Sequence, residues 1–70
     1  MDVGNQLGYI RSTICEYSQQ QLADMSGVSR HTISEIELEK RVPTLRTALL
    51  LSRALDYPVD DIFYLKDKKE

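Results

Sequence analysis

The chain is poor in the residues that build catalytic and metal centres. Its single cysteine, Cys15, has no partner for an intramolecular disulfide and suits a reducing cytoplasm. The lone histidine, His31, lies far from Cys15 in sequence, and the two make no metal-ligand set. No nucleophile–base pair, carboxylate dyad or phosphate-binding loop is present. No enzymatic activity, catalytic residue, metal site or cofactor is therefore expected. Glycine and proline are sparse, at three and two residues, and both prolines and Gly27 fall at predicted breaks. Repeats, low-complexity tracts and interdomain linkers are missing too. No apolar run approaches the ~20 residues that span a bilayer, and no signal peptide is visible at the N-terminus. No membrane partner is expected.

What the chain does have is the run QQQLADMSGVSRHTISEIEL over 19–38. Ser18 is a good N-cap with Gln21 three residues on, the spacing of a capping box. Leu22, Ala23 and Met25 supply the apolar side of a two-turn helix. Gly27 ends it, because the residue past a helix end often needs a left-handed backbone. Val28 re-enters the core and Ser29 is a second N-cap. Ile33 and Ile36 share one face of the following helix, which turns Arg30, His31, Ser34 and Glu35 outward at its N-terminal half. Two short helices joined by a tight turn form a helix-turn-helix, whose second helix enters the DNA major groove.

The segment resembles the helix-turn-helix of the Cro and phage-repressor family, the XRE class of regulators. The matching text is Ser18-Gln19, Leu22-Ala23, Gly27-Val28-Ser29-Arg30, Thr32-Ile33-Ser34 and Ile36-Glu37. It continues through Lys40-Arg41, Pro43-Thr44-Leu45, Ala54-Leu55 and Asp61-Ile62-Phe63, so it covers roughly residues 7–65. The resemblance implies an all-α, compact five-helix lambda-repressor-like DNA-binding domain, with or without a short C-terminal strand. It also implies a cytoplasmic, nucleoid-associated protein of bacterial or phage origin. The 70 residues are expected to form one domain, 1–70, with the helix-turn-helix at 19–38 and a tail at 64–70. A chain this short buries only about 60% of its unfolded surface, so dimerisation is a natural remedy.

The surrounding elements are set by periodicity and caps. A first helix is expected over 5–15, with Leu7, Ile10 and Ile14 on one face. A fourth spans 45–55, capped by Thr44 after Pro43, and buries Leu45, Ala48, Leu49, Ser52 and Leu55. A short fifth comes after Pro58, with Asp60 and Asp61 in its first turn. Phe63 belongs to the core. Residues 64–66 either form a short strand or fray. Three departures from the family pattern stand out. The first helix is one residue longer, placing Cys15-Glu16-Tyr17 where a glycine-containing turn is usual. Ser26 stands where leucine is common. Glu39 stands where glycine or asparagine is usual, and since a left-handed Glu39 would cost on the order of 1 kcal/mol, another turn is expected there.

The candidate site residues fall into three groups. Arg30, His31, Ser34 and Glu35 are positioned to read bases: arginine binds guanine bidentately, and an acid accepts from cytosine. Glu35 is alternatively an internal partner of Arg30 or Arg41. By the resemblance, Gln19, Ser29, Thr32, Lys40 and Arg41 contact phosphates, Gln19 through a helix N-terminus. Arg11 and Glu37 match a buried structural ion pair. Leu50, Tyr57, Phe63, Tyr64 and Leu65 form the expected dimer patch, unless the tail folds over Leu50. Net charge is −2 and the pI about 5.3, yet Arg30, Lys40, Arg41, Arg46 and Arg53 cluster in 30–53 against Glu35, Glu37 and Glu39. Nonspecific affinity should be weak, because it comes mainly from phosphate neutralisation. The expected function is a dimeric, sequence-specific regulator of double-stranded DNA, a repressor by preference, with a protein partner as one route of regulation. The alternative is a protein-interaction module, such as an antitoxin or anti-repressor, that keeps the fold.

Overall fold

The computed structural model describes residues 2–67, so 68–70 of the expected tail lie outside it. The chain opens with a strand, β1 (Val3–Asn5), then α1 (Leu7–Tyr9), which widens into a π turn over Ile10–Ile14. Next come α2 (Gln19–Ser26), α3 (Arg30–Glu37), α4 (Leu45–Leu55), α5 (Val59–Ile62) and a closing strand, β2 (Phe63–Leu65). The fully buried side chains Leu7, Leu22, Ile33, Ile36, Leu51 and Ile62 come from every helix and form one core.

The first helix starts later than its periodicity suggested, because residues 3–5 are drawn into a sheet. β1 and β2 pair antiparallel, with Val3 opposite Leu65, Gly4 opposite Tyr64 and Asn5 opposite Phe63. The open question of the tail thus resolves as a strand at Phe63–Leu65. A Cβ on Gly4 would sit 2.6 Å from the outer edge of the exposed Tyr64 ring, so a side chain there would displace that ring. Asn5 Oδ1 accepts the Leu7 N–H at 3.0 Å and so opens α1.

The first helix ends in the π turn, which holds one residue more than an α turn. The Cys15 N–H donates to Ile10 O at 2.9 Å and the Tyr17 N–H to Arg11 O at 2.8 Å, each spanning one residue more than an α-helical end would. Glu16 closes the turn in the left-handed region, at φ 60°. An inserted residue rotates the downstream positions by about 100°, which is why Ile14 is 46% exposed and leaves the face of Leu7 and Ile10.

The helix-turn-helix is locally determined. Ser18 Oγ accepts the Gln21 N–H at 3.0 Å and Gln21 Oε1 accepts the Ser18 N–H at 2.7 Å, a complete capping box. Gly27 is left-handed at φ 80°, and Ser29 Oγ caps α3 through the Thr32 N–H at 3.1 Å. Ser26 is buried and its Oγ accepts the Val28 N–H at 3.1 Å, a turn bond that leucine could not make. Met25, expected on the apolar side, is exposed instead.

Two expectations are corrected further along the chain. α4 buries Ala48, Leu51 and Leu55, whereas Leu45 is 74% and Leu49 53% exposed. The expected and observed faces share Ala48 and Leu55, and leucines at both flanks leave periodicity unable to choose between them. Packing against α2 makes the choice. Glu39 is left-handed after all, at φ 61°. The Glu39 N–H donates to Ile36 O and the Lys40 N–H to Glu35 O, both at 2.9 Å, the paired bonds of a Schellman end. These backbone bonds, and a clasp to Lys66 Nζ from the Glu39 carboxylate, hold the strained residue in place. Among the described residues no helix is long and apolar enough to cross a membrane.

Candidate nucleic-acid interface

Because α3 turns Ile33 and Ile36 into the core, its first turns present Arg30 and His31 to solvent, with Ser34 and Glu35 partly covered. Gln19, Arg30, His31 and Ser34 together line a shallow concavity of about 280 Å³. The structure thus gathers three of the four expected base readers with one expected phosphate contact. The N-terminus of α2 and the outer face of α3 meet there.

The fourth reader, Glu35, is engaged internally. Its Oε1 accepts from Arg41 Nε at 2.8 Å and lies 2.7 Å from Arg41 Nη2, while Oε2 lies 3.2 Å from His31 Nε2. The Arg41 guanidinium, with a smaller contribution from His31, holds the Glu35 carboxyl below the usual carboxylate range. One acid therefore clasps two groups expected to face DNA. Arg30 and Lys40 form no salt bridge among the described residues. Ser29 Oγ donates to Thr32 Oγ1 at 2.9 Å, so these hydroxyls are coupled in the α3 cap.

Behind the concavity lies a polar network. Glu37 Oε2 accepts from Arg11 Nε at 2.6 Å, and Oε1 accepts from Arg11 Nη2 at 3.1 Å and Gln19 Nε2 at 3.0 Å. Arg11 Nη1 donates to Tyr17 O at 2.7 Å. The Arg11 and Glu37 side chains are only 14% and 13% exposed. This network ties the first helix to the end of α3 and to the first residue of α2, and it fixes where Gln19 points.

Three supporting residues escaped the sequence reading. A Cβ on Gly8 would lie 3.3 Å from Glu37 Oε1, so the small residue leaves room for the ion pair. Asn5 Nδ2 donates to Ile36 O at 2.9 Å and pins the end of α3 to the N-terminal strand. The ammonium of Lys66 joins β2 to the loop after α3 through Glu39, whose carboxylate raises the Lys66 pKa. Gly8 and Lys66 belong to no local motif and Asn5 only to the start of α1, and only the sheet brings Asn5 and Lys66 near α3. Phe63, placed in the expected dimer patch, is 9% exposed and packs in its own core, whereas Tyr64 and Leu65 are exposed and Leu50 and Tyr57 are half-buried.

This arrangement, two short capped helices with the second backed by Ile33 and Ile36 and polar outside, has counterparts among known proteins. A family model described as helix-turn-helix matches residues 15–62, more than half of the chain. The chain belongs to the XRE-type helix-turn-helix family. It is similar to the HTH-type transcriptional regulator YgzD of Bacillus subtilis, 36% identical over 52 residues that cover 74% of this chain and 79% of that one. It is also similar to the HTH-type transcriptional regulator MJ0272 of Methanocaldococcus jannaschii, 36% identical over 63 residues, 90% of this chain and 94% of that one. In this helix-turn-helix protein α2 is the first helix of the motif and α3 the second.

Proposed function

We propose that this chain, a DNA-binding transcription regulator by family, is a sequence-specific dimeric repressor that places α3 in the major groove of an inverted-repeat operator. The observation that carries the reading is the concavity shared by Gln19, Arg30, His31 and Ser34. It sets Arg30 and Ser34, whose side chains make no hydrogen bond or salt bridge among the described residues, and His31, held by Glu35, beside the N-terminus of α2, where a phosphate is favoured. Arg30 is the principal base reader, through guanine O6 and N7. His31 and Ser34 read alongside it. Gln19, Ser29, Thr32 and Lys40 hold the backbone, and Arg41 joins them when Glu35 lets it go. Two copies related by a two-fold axis would present α3 to successive major grooves about 34 Å apart.

Selection of bound duplexes from a random library tests base reading and symmetry together. The expected result is a palindromic motif with half-sites about one helical turn apart; recovery of no motif at low salt overturns the reading. Arg30→Ala should weaken the selected site by about 1–3 kcal/mol and relax one position in each half-site.

A second reading, a protein-interaction module such as an antitoxin or anti-repressor, draws support from the Glu35 clasp on His31 and Arg41 and from the net charge of −2. The pair of changes Arg30→Ala and Lys40→Ala separates the two. It abolishes operator binding if the chain is a DNA reader, and leaves partner binding intact if the chain is an interaction module.

A further inference from the structure

Away from α3, the outer surface of α4 and α5 carries a band of adjoining concavities with opposite charge at its two ends. At one end Leu45, Leu49 and Leu50 form an apolar groove of about 420 Å³ flanked by Arg46 and Arg53. At the other, Tyr9, Ile14, Tyr57 and Tyr64 form a groove of about 400 Å³ edged by Asp60 and Asp61. A smaller concavity at the α4–α5 turn joins them, lined by both Arg53 of the first and Tyr57 of the second. The band holds much of the large apolar surface that the fold leaves in water, with Leu45 74%, Tyr9 57%, Leu49 53%, Ile14 46% and Tyr64 46% exposed. Its charged residues form no salt bridge among the described residues. The turn at its centre is firm: Asp56 is left-handed at φ 59°, the Tyr57 N–H donates to Ser52 O at 3.2 Å, and Ser52 Oγ donates to Tyr57 O.

We propose that this band is the surface on which a second copy of the chain docks, with the two-fold axis at the α4–α5 turn. Rotation by 180° about the centre of a band that is basic at one end and acidic at the other lays each end on its opposite. The arginine-flanked leucines of one copy then cover the tyrosines and aspartates of its partner, and the same contact forms a second time. This is the self-complementarity that a closed two-fold interface demands. Apolar burial supplies the attraction, and the pairing of Arg46 and Arg53 with Asp60 and Asp61 sets the register. The proposal rests on the dimeric reading above and names the pairing within it. It commits Arg46 and Arg53 to the partner copy rather than to DNA.

Charge reversal in two separate chains tests it. One chain carries Arg46→Glu and Arg53→Glu, the other Asp60→Lys and Asp61→Lys. All four positions are exposed, and circular dichroism with urea melts checks that each variant folds. Asp60→Asn with Asp61→Asn serves as the milder acidic-end variant should lysines in the first turn of α5 disturb it. Sedimentation and native mass spectrometry at about 50 mM salt, where exposed charges act over more than 10 Å, report the assembly state. Each reversed chain alone should dimerise about 100-fold more weakly than wild type, because like charges then face each other at both contacts. Mixed together, the two should recover a one-to-one heterodimer, since acid meets base again at both contacts. The proposal is overturned if either reversed chain dimerises like wild type, or if the mixture gives no heterodimer. A wild-type chain that stays monomeric at tens of micromolar overturns the dimeric reading itself.

Discussion

Replacing Glu37 by alanine should cripple the fold without touching the apolar core. The carboxylate accepts three hydrogen bonds, two from Arg11 and one from Gln19, at 2.6–3.1 Å. Its removal strands the Arg11 guanidinium at 14% exposure with only the Tyr17 carbonyl, at 2.7 Å, for a partner. Breaking one side of a buried pair costs about 3–5 kcal/mol, because the surviving charge stays desolvated. The residual exposure and the Tyr17 contact place this case near the lower figure, about 3 kcal/mol. At roughly 0.05–0.15 kcal/mol per residue, a domain of this size has a total stability of about 3.5–10 kcal/mol. The variant would therefore forfeit about 30% or more of it, and Tm should fall by about 12–24 °C. Urea melts at neutral pH and fixed protein concentration measure the loss. The companion Arg11→Met, Glu37→Met should return to within about 1 kcal/mol of wild type, because removing both charges leaves neither unpaired. A loss below about 1 kcal/mol for Glu37→Ala, the range of exposed pairs, would refute the reasoning.

Glu35→Gln releases Arg41 and His31 from their clasp, so nonspecific DNA affinity should rise and the slope of log K against log salt should steepen by about 0.9, one additional phosphate neutralised; an unchanged slope in a salt titration would show that Arg41 does not reach the backbone. The same pair predicts a pH dependence. Because the folded Glu35 carboxyl sits below its ordinary value of 4.5, its stabilisation is present above that value and fades as pH falls through the lower folded one. Wild type and Glu35→Gln should differ in urea melts at pH 6 and converge in strong acid, and a difference that grows toward low pH would contradict the assignment. Glu16→Gly removes a left-handed strain of about 1–2 kcal/mol at the cost of about 0.5–1 kcal/mol in chain entropy. It should stabilise the chain slightly, by up to about 1 kcal/mol, and a clear loss of stability would mean that the Glu16 side chain contributes to the fold.

Much of the fold was legible because its signals are local. Ser18 with Gln21, Gly27, Ser29 and Thr44 each act within four residues, and each performs in the structure the capping or turning role its type and spacing suggest. The exposed face of α3 was equally legible, since burying Ile33 and Ile36 leaves Arg30 and His31 nowhere to point but outward. Errors arose where local signals were balanced. α4 offered two leucine faces that share Ala48 and Leu55, and contact with α2 selected the one containing Leu51. At Glu39 the intrinsic backbone preference was outweighed by two helix-ending hydrogen bonds and the Lys66 clasp. The N-terminal strand had no visible signature, because three residues with a glycine at the centre take strand geometry only when β2 lies beside them.

The sequence by itself determined the helix-turn-helix, its boundaries and, Met25 excepted, the residues it turns to solvent, because capping, glycine geometry and helical periodicity operate over a few residues. Only the tertiary structure decided which of those residues are at liberty. Glu35 holds Arg41 and His31, Glu37 draws Arg11 and Gln19 together, and Lys66 reaches Glu39 across the sheet. It also decided that Leu45 and Leu49 remain in water beside Arg46 and Arg53. Apart from the His31–Glu35 contact, four apart on one helix, this side-chain pairing runs across 6 to 27 positions and depends on how elements pack, a distance no local pattern encodes.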